Sequence, residues 1–192
     1  MKPGTWPTVG EAAQASEVDR AVLTTALIKA RERWLRNTAF TELRQQLEAL
    51  LRSQGQVMSA NETSLALLSL RGCAEQDDSE RLRQASAVLR AAVEAESHLD
   101  QPRFEALADA PVTLIASAAA WGHYARQLGT AADACALADP LLPPARVLQM
   151  LEAVTPPAAA SATGGTAAAA APPLSPSRLL RLAACASRTA AR

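Results

Sequence analysis

The run RSQGQVMSANETSLALLSLRG, residues 52–72, forces a tight corner between two helices. Gly55 can take the left-handed conformation that ends a helix. Ser59 followed by Glu62 is a capping box, in which hydroxyl and carboxylate each satisfy an orphan backbone N–H of a new helix. Only Gln56 to Met58 lie between, and they read as extended. A corner this short is either the turn of a helix-turn-helix, which presents its second helix to nucleic acid, or a plain bend that only packs.

What flanks the corner is helical. TELRQQLEALLRSQ carries Leu43, Leu47, Leu50 and Leu51 at amphipathic spacing. Beyond Ser59, Leu65, Leu67, Leu68 and Leu70 are expected to carry the next helix into the core, and Gly72 closes it. Only six of 192 residues are aromatic, so the core must be built from leucine, alanine and valine, which favours helix.

Upstream, Thr8 and Glu11 form another capping box, and a short helix over Val9 to Ala15 follows. Ser16 and Glu17 break it, and Asp19 caps a longer helix to about Arg36 with Leu23, Leu27, Ala30 and Trp34 along one stripe. Downstream, SERLRQASAVLRAAVEAESHL reads as a helix, with Glu94 and Glu96 on different faces. PRFEAL and PVTLIA then read as two short strands around a break at Ala108 to Pro111. The order helix, extended corner, helix, helix, hairpin is that of a winged helix, with the corner as the helix-turn-helix turn.

The fold class expected is therefore mainly α: an N-terminal helix-turn-helix over 1–37, a winged-helix-like domain with a small hairpin over 38–116, and a helical extension over 117–154. Residues 155–176 are Ala/Pro/Gly-rich and read as a disordered linker. Residues 177–192 read as a short basic helix, truncated, uncapped and without a partner in the chain, so that a chain ending at Val154 is expected to keep its fold.

Formal net charge is zero, which excludes a global pull toward polyanions, but the charges are segregated. Residues 20–52 hold seven basic side chains against three acidic, and residues 72–110 hold four against nine. Any DNA-facing surface belongs on the N-terminal side. Cys73, Cys135 and Cys185 are odd in number and in no CxxC pair, arguing against a disulfide framework or a zinc site. The N-terminus lacks the apolar core of a signal peptide, and VTLIASAAAW is too short to span a bilayer. A soluble, cytoplasmic protein without a membrane partner is expected.

Catalytic chemistry is not encoded. His98 and His123 are isolated and fit surface or helix-end roles, and SATGGTA lacks the lysine of a phosphate loop. No enzyme activity, cofactor or metal is expected.

The succession TVGEAAQASEVDRAVLTTALIKARERWLRN, VMSANETSLALLSLRG, RAAVEAE, PRFEAL, LIA, DPLLPPARVLQMLEAV and LSPSRLLRLAACASRTAA resembles the helix-turn-helix region of the large serine/threonine-kinase component of actinobacterial Pgl/BREX-type phage-defence systems. KARERWLR and SRLLRLAACASR are its most specific pieces. The resemblance implies a nucleic-acid-binding or assembly segment, with double-stranded DNA or other defence-system proteins as partners. It implies no kinase activity, because the glycine-rich loop, paired lysine, HRD and DFG motifs are missing. The chain departs from the pattern at Glu17, where glycine is favoured, at Thr63 and Ser64, and at the wing, where Glu105 and Asp109 stand where phosphate would sit.

The leading expectation is thus a non-catalytic DNA-binding, or DNA-binding-derived, protein; the alternatives are a protein–protein interaction module and a non-functional fragment of a larger protein. Arg20, Thr24 and Thr25 would approach bases from the start of the second helix, and Lys29, Arg31, Arg33 and Arg36 would meet phosphates.

Overall fold

The computed structural model describes residues 6–107, 112–157 and 174–189. Asp109 and most of the Ala/Pro-rich stretch over 155–176 lie outside them. The described residues form eight helices and three short strands.

Two helices open the chain, α1 (Val9–Ala15) and α2 (Arg20–Arg36). The Thr8–Glu11 capping box starts α1, and the Asp19 carboxylate accepts from the Ala21 N–H to start α2. Between them Glu17 has φ 54°, the left-handed region in which a glycine would be unstrained. Asn37 ends α2 and caps α3 (Thr38–Ser53), whose Leu43, Leu47 and Leu51 are buried as the leucine spacing requires. Trp34 stacks on Phe40 across that junction, ring centroids 5.9 Å apart.

The corner holds more than a turn. Gly55 has φ +86°, and the next residues form β1 (Val57–Ser59), after which the Ser59–Glu62 box starts α4 (Ala60–Arg71). Then come α5 (Asp78–Glu96), β2 (Glu105–Leu107), β3 (Leu114–Ala116), α6 (Ala119–Ala136), α7 (Pro144–Glu152) and α8 (Pro176–Ala186). The strands make an antiparallel sheet in the order β1-β3-β2, with Met58 and Ala106 both opposite Ile115. The expected hairpin is present. The residues read as extended between the two helices form an edge strand, and Val57 and Met58 each enter an apolar core.

Side-chain alternation explains why. Met58 and Ile115 face a core of Leu43, Leu47, Leu51, Leu67, Leu89, Val93 and Phe104 from α3, α4, α5 and the residue just before β2. Val57, Leu107, Leu114 and Ala116 face a second core with Trp121, Tyr124, Leu128, Leu151, Leu179 and Leu182 from α6, α7 and α8. The sheet is therefore apolar on both faces, a pattern proper to a layer buried from both sides.

Two expectations need correction. In α4 the buried side is Ala60, Thr63, Ser64 and Leu67, while Leu65 and Leu70 are 48% and 59% exposed. Small residues let α4 lie close on its neighbours, and the Thr63 and Ser64 hydroxyls are satisfied by donating to the Ser59 and Ala60 carbonyls. The C-terminal helix, in turn, has a partner, and the residues after it are tied down. Its stripe of Leu179, Leu182, Ala183 and Ala186 is buried on α6, and Asp133 of α6 accepts from the Ser187 hydroxyl and from the Arg188 and Thr189 N–H groups. A chain ending at Val154 would leave this second core uncovered.

A buried ion pair ties α3 to α5. Arg44 Nη1 lies 2.9 Å from Glu96 Oε1, and the other carboxylate oxygen accepts from the Arg103 N–H. Glu94 points the opposite way, as its spacing from Glu96 requires.

Candidate nucleic-acid interface

The seven residues expected to meet DNA all lie on α2, but not on one face. A helix turns about 100° per residue. Leu23, Leu27, Ala30 and Trp34 are half-buried and define the inward side. Lys29, Arg33 and Arg36, with Thr25, point away from it and are exposed. Arg31 lies toward the packed side and is committed there: Nη2 is 2.5 Å from Glu94 Oε2, and Nη1 is 2.9 Å from His98 Nε2. It clamps α2 to the end of α5 and cannot serve phosphate without releasing it. Its Nε, buried and without a partner, emphasises the packed setting. The helix-end position expected of His98 holds, and its ring receives this arginine.

Thr24 and Thr25 are exposed, but their hydroxyls donate to the Arg20 and Ala21 carbonyls at 2.8 and 2.9 Å. Such back-bonding uses the donor and turns the methyl outward. Arg20, Lys29, Arg33 and Arg36 are exposed and have no ion-pair or hydrogen-bond partner among the described residues. Among the seven, these four remain available to an anion.

The hairpin contributes less than its position suggests. Glu105 shares the β2 face of Leu107 and looks toward the first turn of α6, where a Cβ on Gly122 would lie 3.4 Å from Glu105 Oε1. A carboxylate beside a helix N-terminus is favourably placed. The expectation that Glu105 confronts phosphate is therefore corrected. The C-terminal half of α5 is tied down too: besides Arg31 at Glu94, Arg90 Nη2 donates to the Pro7 carbonyl at 2.7 Å. An open groove of about 580 Å³ lies between this N-terminal segment, α4 and α5, lined by Trp6, Asn61, Leu82, Arg83 and Arg90. Its arginines are engaged, Arg90 with Pro7 and Arg83 with Glu80, so no cation converges on it.

At the corner, the structure reveals a site the sequence did not announce. Arg178 of α8 reaches into it, donating to the Gln54 carbonyl (3.2 Å), the Val57 carbonyl (2.6 Å) and Glu62 Oε1 (2.9 Å). Leu174 covers Gly55, where a Cβ would collide with it. Glu62 thus caps α4 and also holds α8. Partial burial pushes its carboxyl up, but the Ser59 N–H and hydroxyl and the Arg178 guanidinium outweigh that and leave it lowered. The only sequence signal was the surplus of arginine in SRLLRLAACASR, which has no acid of its own.

All three cysteines are free. Among the described residues no group of three or more His, Cys, Asp or Glu could hold a metal, and no helix is long and apolar enough to cross a membrane. Comparison with family models, curated proteins and solved structures finds no match to this chain.

Proposed function

We propose that the chain is a non-catalytic DNA-binding module, with α1–α2 as a helix-turn-helix and α3 to β3 as a winged helix, akin to the defence-system kinase region it resembles. The observation that carries this is the set of exposed, unpartnered cations on α2: Lys29, Arg33 and Arg36 along one side and Arg20 at the N-terminus. The winged-helix part is supported by the order α3, β1, α4, α5, β2, β3, with β1 pairing the second strand of the hairpin. In that arrangement α5 would be the groove-facing helix. Its C-terminal half is tied to Pro7 and Arg31, and its first turn carries Asp78 and Glu80. DNA contact therefore falls to α2.

The contact assigned to these four side chains is with phosphate, which carries no sequence information directly. In a salt titration of the full chain with duplex DNA, about four phosphate contacts give a slope of log affinity against log salt of roughly −3 to −4. Binding should be nearly indifferent to sequence. A folded chain that shows no binding at low salt would overturn the proposal. A protein-docking role is the second reading, favoured by the uncharged half of α2.

A further inference from the structure

The basic row of α2 runs alongside an aromatic ring. In KARERWLRN, Trp34 is interleaved with Lys29, Arg33 and Arg36. Its indole stacks on Phe40 with an interplanar angle of 23°. Phe40 packs against the core of α3, α4 and α5, whereas Trp34 belongs to neither core. The indole is half-buried; its Nε1–H makes no hydrogen bond among the described residues and is not buried, so that edge of the ring meets solvent. From Lys29 to Arg36 the row covers about 10 Å of helix axis. A single strand rising about 3.4 Å per nucleotide lays about three phosphates along that length. Glu32 is exposed on the same side and offsets one of the three charges. The row alone is therefore a modest phosphate site, and the ring supplies what charge does not.

We propose, resting on the DNA-binding proposal for α2, that Trp34 is the stacking platform for an unpaired base, so that the preferred ligand of this site is single-stranded DNA. Phe40 takes one face of the indole, and the base takes the other. Arg33 and Arg36, exposed on either side of Trp34 in the chain, hold the phosphates that flank this nucleotide. Trp34 is turned about 100° round the helix from Arg33, so the stacking base must leave its neighbours and swing inward. An unpaired base does this at small cost, and every base offers a π-face to the ring. A paired base must first break from its partner and its stack, which offsets what the ring returns. Stacking releases no counterions, so the preference for single strands outlasts the phosphate contacts as salt rises.

Fluorescence anisotropy of the full chain with one labelled oligonucleotide of mixed sequence, single-stranded and as its duplex, reads the difference. At physiological salt the single strand should bind about five- to a hundredfold more tightly, the worth of one stacked base. The gap should widen with salt, since log affinity falls by about 0.7 per phosphate contact on a single strand and about 0.9 on a duplex. The same strand built with abasic sites keeps every phosphate and should lose the preference. Trp34→Leu should lose it too, and Trp34→Phe, which keeps a ring, should retain part of it. A duplex bound as tightly as the single strand overturns the inference, as does a preference that survives the abasic strand or Trp34→Leu. Should Trp34→Leu fail to fold, the abasic strand decides by itself. Duplex binding without single-strand preference sinks this inference and leaves the DNA reading standing, whereas a folded chain that binds neither form at low salt overturns both.

Discussion

Gly129→Ala sets helix propensity against packing, and the structure decides the sign. In an exposed helix interior, alanine in place of glycine stabilises by about 1 kcal/mol. Gly129 of α6, however, lies under α8: a Cβ there would be 2.5 Å from the Ala186 carbonyl oxygen, 2.7 Å from its carbon and 2.9 Å from its Cβ. Favourable carbon contacts begin near ~3.5 Å, so the end of α8 must retreat by about 1 Å. The obstacle is backbone and cannot simply rotate away. Overpacking of this kind costs about 1–3 kcal/mol. The retreat also strains the bonds from Ser187, Arg188 and Thr189 to Asp133, each worth about 0.5–1.5 kcal/mol. Losing one of these and crediting the propensity gain leaves a net destabilisation of about 1–3 kcal/mol. For a chain of this length that lowers Tm by roughly 2–12 °C. Calorimetry reads the shift, and hydrogen exchange should show the loss concentrated in α8. A rise in Tm with α8 amides still protected would refute the close docking.

Leu182→Ala removes a side chain 3% exposed in the same core and should cost about 2–5 kcal/mol in chemical denaturation; a loss below half a kcal/mol would mean α8 is not seated. Glu17→Gly relieves the positive φ of the α1–α2 turn, and after the entropy glycine adds to the unfolded chain it should still gain about 0.5–1 kcal/mol. Asp133 is pushed up by partial burial, but the hydroxyl and N–H groups at the end of α8 outweigh this and lower its pKa from 3.8 to about 2. A depressed carboxylate contributes stability above its unfolded pKa and loses it as pH falls through the folded one, so α8 should loosen between about pH 4 and pH 2, and Asp133→Asn should flatten that acid limb. Arg31→Ala should lower stability by about 1 kcal/mol and leave DNA affinity unchanged, whereas Arg33→Ala should weaken binding and flatten its salt dependence; equal effects on binding would show that Arg31 leaves Glu94 to reach DNA.

Much of the fold was legible because it is written in local chemistry. Both capping boxes form, the leucines of α3 face inward, and the hairpin falls where Phe104, Leu114 and Ile115 placed it. Ser16 and Glu17 end the first helix as expected, with Glu17 in the left-handed region. What stayed hidden depends on contacts distant in sequence. Val57 and Met58 read as extended, but that they form a strand in a sheet depends on Leu114 to Ala116 arriving to pair with them. Leu65 and Leu70 outrank Thr63 and Ser64 in hydropathy, yet closeness of approach selected the small pair for burial. The residues expected to meet DNA divided similarly. Charge on α2 could be read from sequence, but the loss of Arg31 to Glu94 needs a partner 63 positions away.

The second core changes where function can reside. A hairpin free on one face could swing toward a ligand, and its carboxylates would then matter to a polyanion. Here Leu107 and Leu114 are buried against α6, α7 and α8, and Glu105 is turned to the start of α6. Arg178 fastens the other edge of the sheet by gripping two carbonyls of the corner together with Glu62. Both faces of the sheet are thus covered within the chain, and Arg90 and Glu94 of α5 are tied to Pro7 and Arg31. By contrast α2 buries no residue and keeps four cations unpaired among the described residues. Rigid, doubly covered layers hold a lightly packed helix in place at their margin, and low local burial is what lets a segment exchange partners at small cost. The corner that reads as a recognition turn is the clasp of the scaffold, and the proposed DNA contact falls to the helix that the scaffold leaves exposed.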